Sequence, residues 1–325
     1  MLTRRTSLAG LSGLAVLAGC ASGDAGSSDA SATSKPAPSR PRGPVTRTIT
    51  GGFLSPPSPV FGVPARPGTG VFARLVSPAA LALRGSDLLV LDRGLQRLWR
   101  VDIPLGTMSA IVGAPTDPGT AFALGGDLSA WVLDGFGSRV LRFARDGRLM
   151  QTLRLAAPLA SPGSITLLEG EATLLIAAGS SRWVEMRTLG GIATEVGLRS
   201  DDGAALVGQA DAVASSGREV FALDRAAARV LVARRDGTVI ARLGEGALKQ
   251  PQAIAADRDG TAYVLDSFDR SVKRLARDGR VSTLEARDLG VTQPSGIAVD
   301  ERWLAVADGV SSQVVMQLMP REGQS

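Results

Sequence analysis

A short apolar run ending in aspartate recurs along the chain as Val90-Leu91-Asp92, Val132-Leu133-Asp134, Ala222-Leu223-Asp224, Val264-Leu265-Asp266 and Val306-Ala307-Asp308, at intervals of 42, 90, 42 and 42 residues. The long interval divides around Leu175-Ile176-Ala177-Ala178, where Ala178 takes the aspartate's place, so six units carry five aspartates. A fixed period of about 20–50 residues marks an array of supersecondary units, each unable to bury its apolar face without its neighbours.

Other features keep phase with the aspartates. About fifteen residues upstream lies a turn, commonly with proline (Pro78, Pro118, Pro162, Pro251, Pro294), that leads into a short apolar strand such as Ala253-Ile254-Ala255-Ala256. A second strand ends at the aspartate, and a third begins about five residues later, as in Arg139-Val140-Leu141-Arg142-Phe143. The turns Arg145-Asp146-Gly147, Arg235-Asp236-Gly237 and Arg277-Asp278-Gly279 follow, and Asp-Gly between alternating apolar residues signals a hairpin because glycine accepts the positive φ that such turns use. A fourth strand completes each unit, so the period predicts an all-β, six-bladed β-propeller of four-stranded antiparallel blades. The pattern Pro-x-x-Ile-Ala, then a strand ending in Asp, then Arg/Ser-Val-x-x-Leu/Phe, then Asp-Gly resembles the NHL-repeat family over about residues 71–318, best in the fifth unit and weakest in the third.

The sixth unit has only three strands of its own. Val71-Phe72-Ala73-Arg74-Leu75 copies the fourth strand Val239-Ile240-Ala241-Arg242-Leu243, and is expected to complete the last blade and close the ring from the N-terminal side, removing a free strand edge. The expected organisation is a signal at 1–20, a Ser/Ala/Pro-rich tether at 21–66, the propeller at 67–320 and a tail at 321–325. Phe53, Leu54, Val60, Phe61 and Val63 are expected to lean on the ring.

The N-terminus reads as an export signal. Arg4 and Arg5 precede the apolar run Leu8 to Gly19, which is too short to span a ~30 Å hydrocarbon core. The run ends Leu17-Ala18-Gly19-Cys20, with the only cysteine of the chain, and resembles a bacterial lipobox, which implies lipidation at Cys20. Thr3-Arg4-Arg5-Thr6-Ser7-Leu8 also resembles a twin-arginine motif, with Ser7 where that family has Phe. The residues after Cys20 include no Asp at the second place, which in lipoproteins favours the outer membrane over the inner. The implied location is the bacterial cell envelope, anchored through lipid and facing the periplasm.

The sequence pI of about 10.2 suggests a nucleic-acid binder until the charge is divided. Of the net +5, residues 1–50 carry +4, through Arg4, Arg5, Lys35, Arg40, Arg42 and Arg47 against Asp24 and Asp29. The remainder is nearly neutral, and no phosphate-binding surface is indicated. The chain contains no His and no Asn. No Ser-His-Asp or Cys-His pair can form. Propeller lyases of the antibiotic-linearising and peptide-amidating types use channel histidines, and gluconolactonase-like propellers bind a metal through Glu, Asp and Asn, so neither set carries over intact.

In propellers the loops before the first strand and between the second and third share one face. The repeated Asp92, Asp134, Asp224, Asp266 and Asp308 are read as blade-building, each accepting backbone N–H bonds at a strand end and facing the arginine that opens the next strand, as Asp92 with Arg97 and Asp134 with Arg139. Site candidates are positions where the loops differ. Two places after the aspartate the units read Gly94, Phe136, Ser180, Ala226, Phe268 and Val310. Phe136 and Phe268, on opposed blades, either flank the channel mouth as aromatic walls or tuck between blades. A polar cluster is expected over blades four to six from Arg225, Gln250, Gln252, Asp269, Arg270, Gln293 and Ser295, with Arg93 on the same face. Trp99, Trp131, Trp183 and Trp303 read as packing between sheets. The sequence favours a binding or scaffold module for a protein, peptide or glycan, without cofactor, metal or nucleic acid. The alternative is a metal-dependent hydrolase of the propeller-lactonase kind with a non-standard metal shell.

Overall fold

The computed structural model describes residues 45–54, 70–168, 170, 172–206 and 208–319. They form six sheets. Blade II contains Ala121–Leu124, Ala130–Leu133, Arg139–Phe143 and Leu149–Arg154, and blade III contains Ile165–Leu167, Thr173–Ser180, Arg182–Arg187 and Ala193–Gly197. Blade IV contains Ala212–Ser215, Val220–Asp224, Arg229–Ala233 and Val239–Leu243, and blade V contains Pro251–Ala256, Ala262–Asp266, Ser271–Leu275 and Val281–Glu285. Blades I and VI contain the ends of the ring. Blade I has Pro78–Arg84, Asp87–Asp92, Arg97–Asp102 and Thr107–Ala110, and blade VI has Pro294–Val299, Trp303–Asp308 and Gln313–Leu318. Within every blade consecutive strands pair antiparallel, as the period predicts.

A four-stranded sheet has two apolar faces to cover, and a ring covers both. Six apolar clusters lie one between each pair of neighbouring blades. Leu89, Leu98, Phe122 and Phe143 join blades I and II, whereas Trp99, Val90, Val314 and Met316 join blades I and VI. The second strand of each blade is buried from both sides, which is why its sequence is a continuous apolar run rather than an alternating one. Trp99, Trp131 and Trp183 are buried in these clusters, and Trp303 is partly buried against one.

The Arg-Asp-Gly turns add a polar link between blades. Each glycine has φ between 85° and 89°, the left-handed region that the turn requires. The arginine reaches back to the preceding blade. Arg145 donates to Asp87 and Asp102 of blade I, Arg235 to Glu185 and to the Thr173 hydroxyl of blade III, and Arg277 to Glu219 at 2.6 Å. Asp87 is fully buried and also holds Arg100 at 2.8 Å. These turns and the first-to-second-strand turns form the lower face. The aspartate loops form the upper face.

Closure comes from the N-terminal side, but by a different strand from the one the sequence suggests. Thr46–Ile49 pairs antiparallel with Gln313–Leu318 and is the fourth strand of blade VI. The chain then crosses to blade I, where Gly51–Leu54 pairs parallel with the outer strand Thr107–Ala110, and Phe72–Arg74 pairs with Gly51–Leu54 at the outer edge. Val71–Leu75 therefore widens the first blade and does not complete the last. The copied pattern fits both places because an outer strand needs only alternating apolar residues. Here Phe72 meets Phe53 edge-on at 5.3 Å. Gly51 permits the crossing, since a side chain there would collide with the Ala73 carbonyl. Phe53 and Leu54 thus belong to the ring's outer wall. The expected export signal at 1–20 with Cys20, residues 21–44 and 55–66 of the expected tether, with Val60, Phe61 and Val63, and the expected tail at 321–325 lie outside the described residues, whereas residues 46–54, expected in the tether, supply strands to the ring.

Candidate functional site

The aspartates organise the upper face. Asp92 accepts the backbone N–H groups of Val76, Ser77 and Leu95. Asp266 accepts those of Lys249, Gln250 and Phe268, and Asp308 those of Thr292, Gln293, Val310 and Ser311. In these three blades one buried carboxylate therefore ties the loop entering the blade to the loop between its second and third strands. Asp134 and Asp224 serve their own loops and pair with Arg139 and Arg229 at 3.0 and 3.3 Å. Arg97 does not pair with Asp92 but lies over the Trp99 ring at 5.4 Å. Burial pushes Asp134 and Asp308 towards the protonated form, but the hydrogen bonds they accept outweigh it and hold both below the ordinary carboxylate value. In blade III, Ser180 already faces Arg182 across a tight hairpin, so no long loop needs a carboxylate and Ala178 suffices.

Four of these loops share one geometry. The fourth residue after the aspartate, Gln96, Ala228, Arg270 or Ser312, has φ of 50°, 47°, 55° or 55°. Non-glycine residues rarely adopt this conformation, so its recurrence fixes the loops alike and sets the second residue after the aspartate at each apex. At the apices of blades V and VI stand Phe268 and Val310, 67% and 62% exposed, and Phe136 of blade II is 70% exposed. Neither phenylalanine tucks between blades. In blade I the apex is Gly94, and a Cβ there would lie 2.6 Å from the Val76 side chain, which fills that place and is itself 47% exposed, with Leu95 beside it. Apolar side chains thus face solvent on four consecutive blades, V, VI, I and II. Val76, Leu95 and Val310 were not among the sequence candidates. The signal for Val310 was present at the apex position, whereas Val76 lies in the loop entering blade I and is placed by its backbone bond to Asp92 and its contact with Gly94.

The expected polar cluster forms only in part. Arg225 donates to the Gln252 backbone carbonyl at 2.8 Å, and the Gln252 amide donates to the Ser267 hydroxyl, which donates to the Gln250 carbonyl. Ser295 turns away from this group and donates to the Pro78 carbonyl of blade I at 2.7 Å. Gln293 is exposed, and its backbone N–H goes to Asp308. Asp269 is held by Ser271 and Lys273. Burial raises it, but these partners prevail and keep it below the ordinary carboxylate range. Arg93 and Arg270 are exposed.

A channel of about 1410 Å³ runs along the first strands of all six blades. Its wall is small and apolar, with Ala80, Ala82, Ala121, Ala123 and Gly163 among its residues. Arg225, Gln252 and Ser295 line its upper end, and Arg84, Arg218, Glu219, Asp259 and Arg302 its lower end. Among the described residues no three Asp, Glu or Cys side chains gather where they could hold a metal ion.

No protein-family model and no curated protein matches the sequence. Solved structures do. A protein of unknown function from Bacteroides thetaiotaomicron aligns with a TM-score of 0.60 at 16% identity, over 76% of this chain and 70% of that one. A gluconolactonase from Xanthomonas campestris gives 0.58 at 13%, over 76% and 87%, and virginiamycin B lyase from Staphylococcus aureus gives 0.53 at 14%, over 85% and 99%. At such identities the likeness speaks to architecture alone. The chain is an all-β six-bladed propeller of four-stranded antiparallel blades, closed by an N-terminal strand in its last sheet.

Proposed function

We propose that this protein is a lipid-anchored propeller of the bacterial cell envelope that holds a polypeptide partner on its upper face. The observation that carries the reading is the set of exposed apolar side chains on the upper loops of four consecutive blades, Phe268, Val310 and Phe136 at the second place after the aspartate, and Val76 with Leu95 beside Gly94. Scattered apolar residues are normal on a surface, but exposed apolar side chains on the upper loops of each of four neighbouring blades make a common contact line. A binding role also asks for no histidine, and the sequence has none. The lipobox at Cys20 supports the anchor, and the residues following it favour the outer membrane facing the periplasm.

Two measurements test this. A photo-crosslinking amino acid introduced in place of Phe268 should yield a discrete polypeptide adduct in cells, and one in place of Arg218 on the lower face should not; equal yields would sink the assignment of the face. Metabolic labelling with palmitate should mark the wild type and spare Cys20→Ser, and label on both would refute the anchor.

A further inference from the structure

The upper face is uneven in charge as well as in hydrophobicity. Around the apices of blades V, VI and I, most carboxylates are already committed; the half-exposed Glu285 at the end of blade V's outer strand, opposite Ser271, is not. Asp92, Asp266 and Asp308 are buried under backbone N–H groups, and Asp269 is held by Ser271 and Lys273. On the short helix Ala286–Leu289, Arg287 faces Asp288 at 3.8 Å, so that pair adds no net charge. The cations are not committed in the same way. Arg270, two residues beyond Phe268, and Arg93, one residue before Gly94, are exposed and make no side-chain hydrogen bond or ion pair among the described residues. Lys249, which donates to the Gly246 carbonyl, is a third exposed cation on this side. The exposed Asp117 stands on the loop into blade II, at the far end of the apolar line. The stretch from blade V to blade I therefore presents apolar side chains between unneutralised guanidinium groups.

We infer that the partner segment held on this stretch is acidic and apolar, a length of chain with carboxylates interspersed among large apolar residues, lying across blades V, VI and I. The inference rests on the upper face being the docking face. The apolar residues of the segment cover Phe268, Val310, Val76 and Leu95, and its carboxylates meet Arg270 and Arg93, which as guanidinium groups can bind a carboxylate through two parallel hydrogen bonds. Exposed charges of this kind select the partner and its orientation more than they add affinity. A basic segment would bring like charge against two unpaired arginines, with Glu285 of blade V as the one partly exposed, uncommitted carboxylate among the described residues there to receive it.

The test is selection of peptides from a random 12-residue display library on the purified protein, run in parallel on the wild type, on Arg93→Glu/Arg270→Glu and on Phe268→Ser/Val310→Ser. All are exposed positions, and circular dichroism and melting confirm that each variant folds. The wild type should enrich peptides rich in Asp or Glu together with Leu, Phe or Ile. The charge-reversed variant should enrich Lys- and Arg-containing peptides and bind the wild-type selectants roughly 10-fold more weakly. The Phe268→Ser/Val310→Ser variant should enrich none. Selectants that depend on Phe268 and Val310 but show no acidic excess, or keep it after charge reversal, overturn this inference and leave the docking face standing. Selectants indifferent to Phe268 and Val310, or no enrichment on the wild type, overturn both.

Discussion

Asp308→Ala removes one carboxylate and leaves four backbone N–H groups without their acceptor, those of Thr292 at 2.6 Å, Ser311 at 3.0 Å, Val310 at 3.1 Å and Gln293 at 3.4 Å. Taking about 1 kcal/mol for each of the three shorter bonds, and nothing for the longest, the loss is about 3 kcal/mol. In a ring of this size that lowers the melting temperature by roughly 6–12 °C. Asn keeps one carbonyl oxygen in place and should lose about half as much. The sign of the pH dependence follows from the hydrogen bonds: Asp308 is more acidic in the folded protein than its ordinary 3.8. Its contribution is therefore complete above that value and fades as the pH falls through the lower folded value. Calorimetry of wild type, Asp308→Asn and Asp308→Ala should show the full gap at pH 7 and a narrowing gap below about pH 4. An alanine variant melting within about 1 °C of wild type at pH 7, or a gap that stays constant into acid, would refute the argument that this carboxylate fastens two loops.

Three further outcomes follow from the ring. Deleting Thr46–Ile49 should lower stability in urea by more than deleting Phe72–Arg74, because the first removes the buried Ile49, about 2 kcal/mol of apolar burial, and opens blade VI, whereas the second trims an outer edge. Arg277→Ala should cost about 1 kcal/mol by leaving the buried Glu219 without its ion pair, and Arg277→Ala with Glu219→Gln should recover part of that in the same denaturation assay. Gly163→Ala would drive a Cβ into the Asp211 carbonyl where blades III and IV meet, and should depress the melting temperature further than Asp308→Asn does.

The blades were legible because their second strands are buried on both faces and their turns have strict chemical demands. A continuous run such as Val220–Asp224 and a turn such as Arg235-Asp236-Gly237 leave little freedom in sequence. The closing strand was misplaced because it lies at the rim. Three residues of Thr46–Ile49 are exposed, so nothing in their composition distinguishes them from a tether, whereas Val71–Leu75 carries the alternation of an outer strand and serves as one on another blade. At the upper face the aspartates accept backbone N–H groups, as a carboxylate at a strand end has amides close at hand, but the expected pairing of Asp92 with Arg97 does not form. The exposure of Phe136 and Phe268 was not legible. Whether an aromatic at a loop apex folds inward depends on space between neighbouring blades, and that space is set by residues outside the loop itself, as the filling of the Gly94 site by Val76 illustrates.

The last blade joins Thr46–Ile49 to Gln313–Leu318, so its final pairing spans almost the whole length of the ring. Every other blade can assemble from about forty consecutive residues, but this one waits for strands made at opposite times during synthesis. The entropy of closing so long a loop grows only with the logarithm of its length, so the delay is kinetic rather than a large loss of stability. Until it ends, the third strand of blade VI offers a bare edge to any other extended chain. A ribosome that stops short of Gln313 would leave Thr46–Ile49 without a partner, and the first blade would keep its doubled outer wall while the circle stayed open.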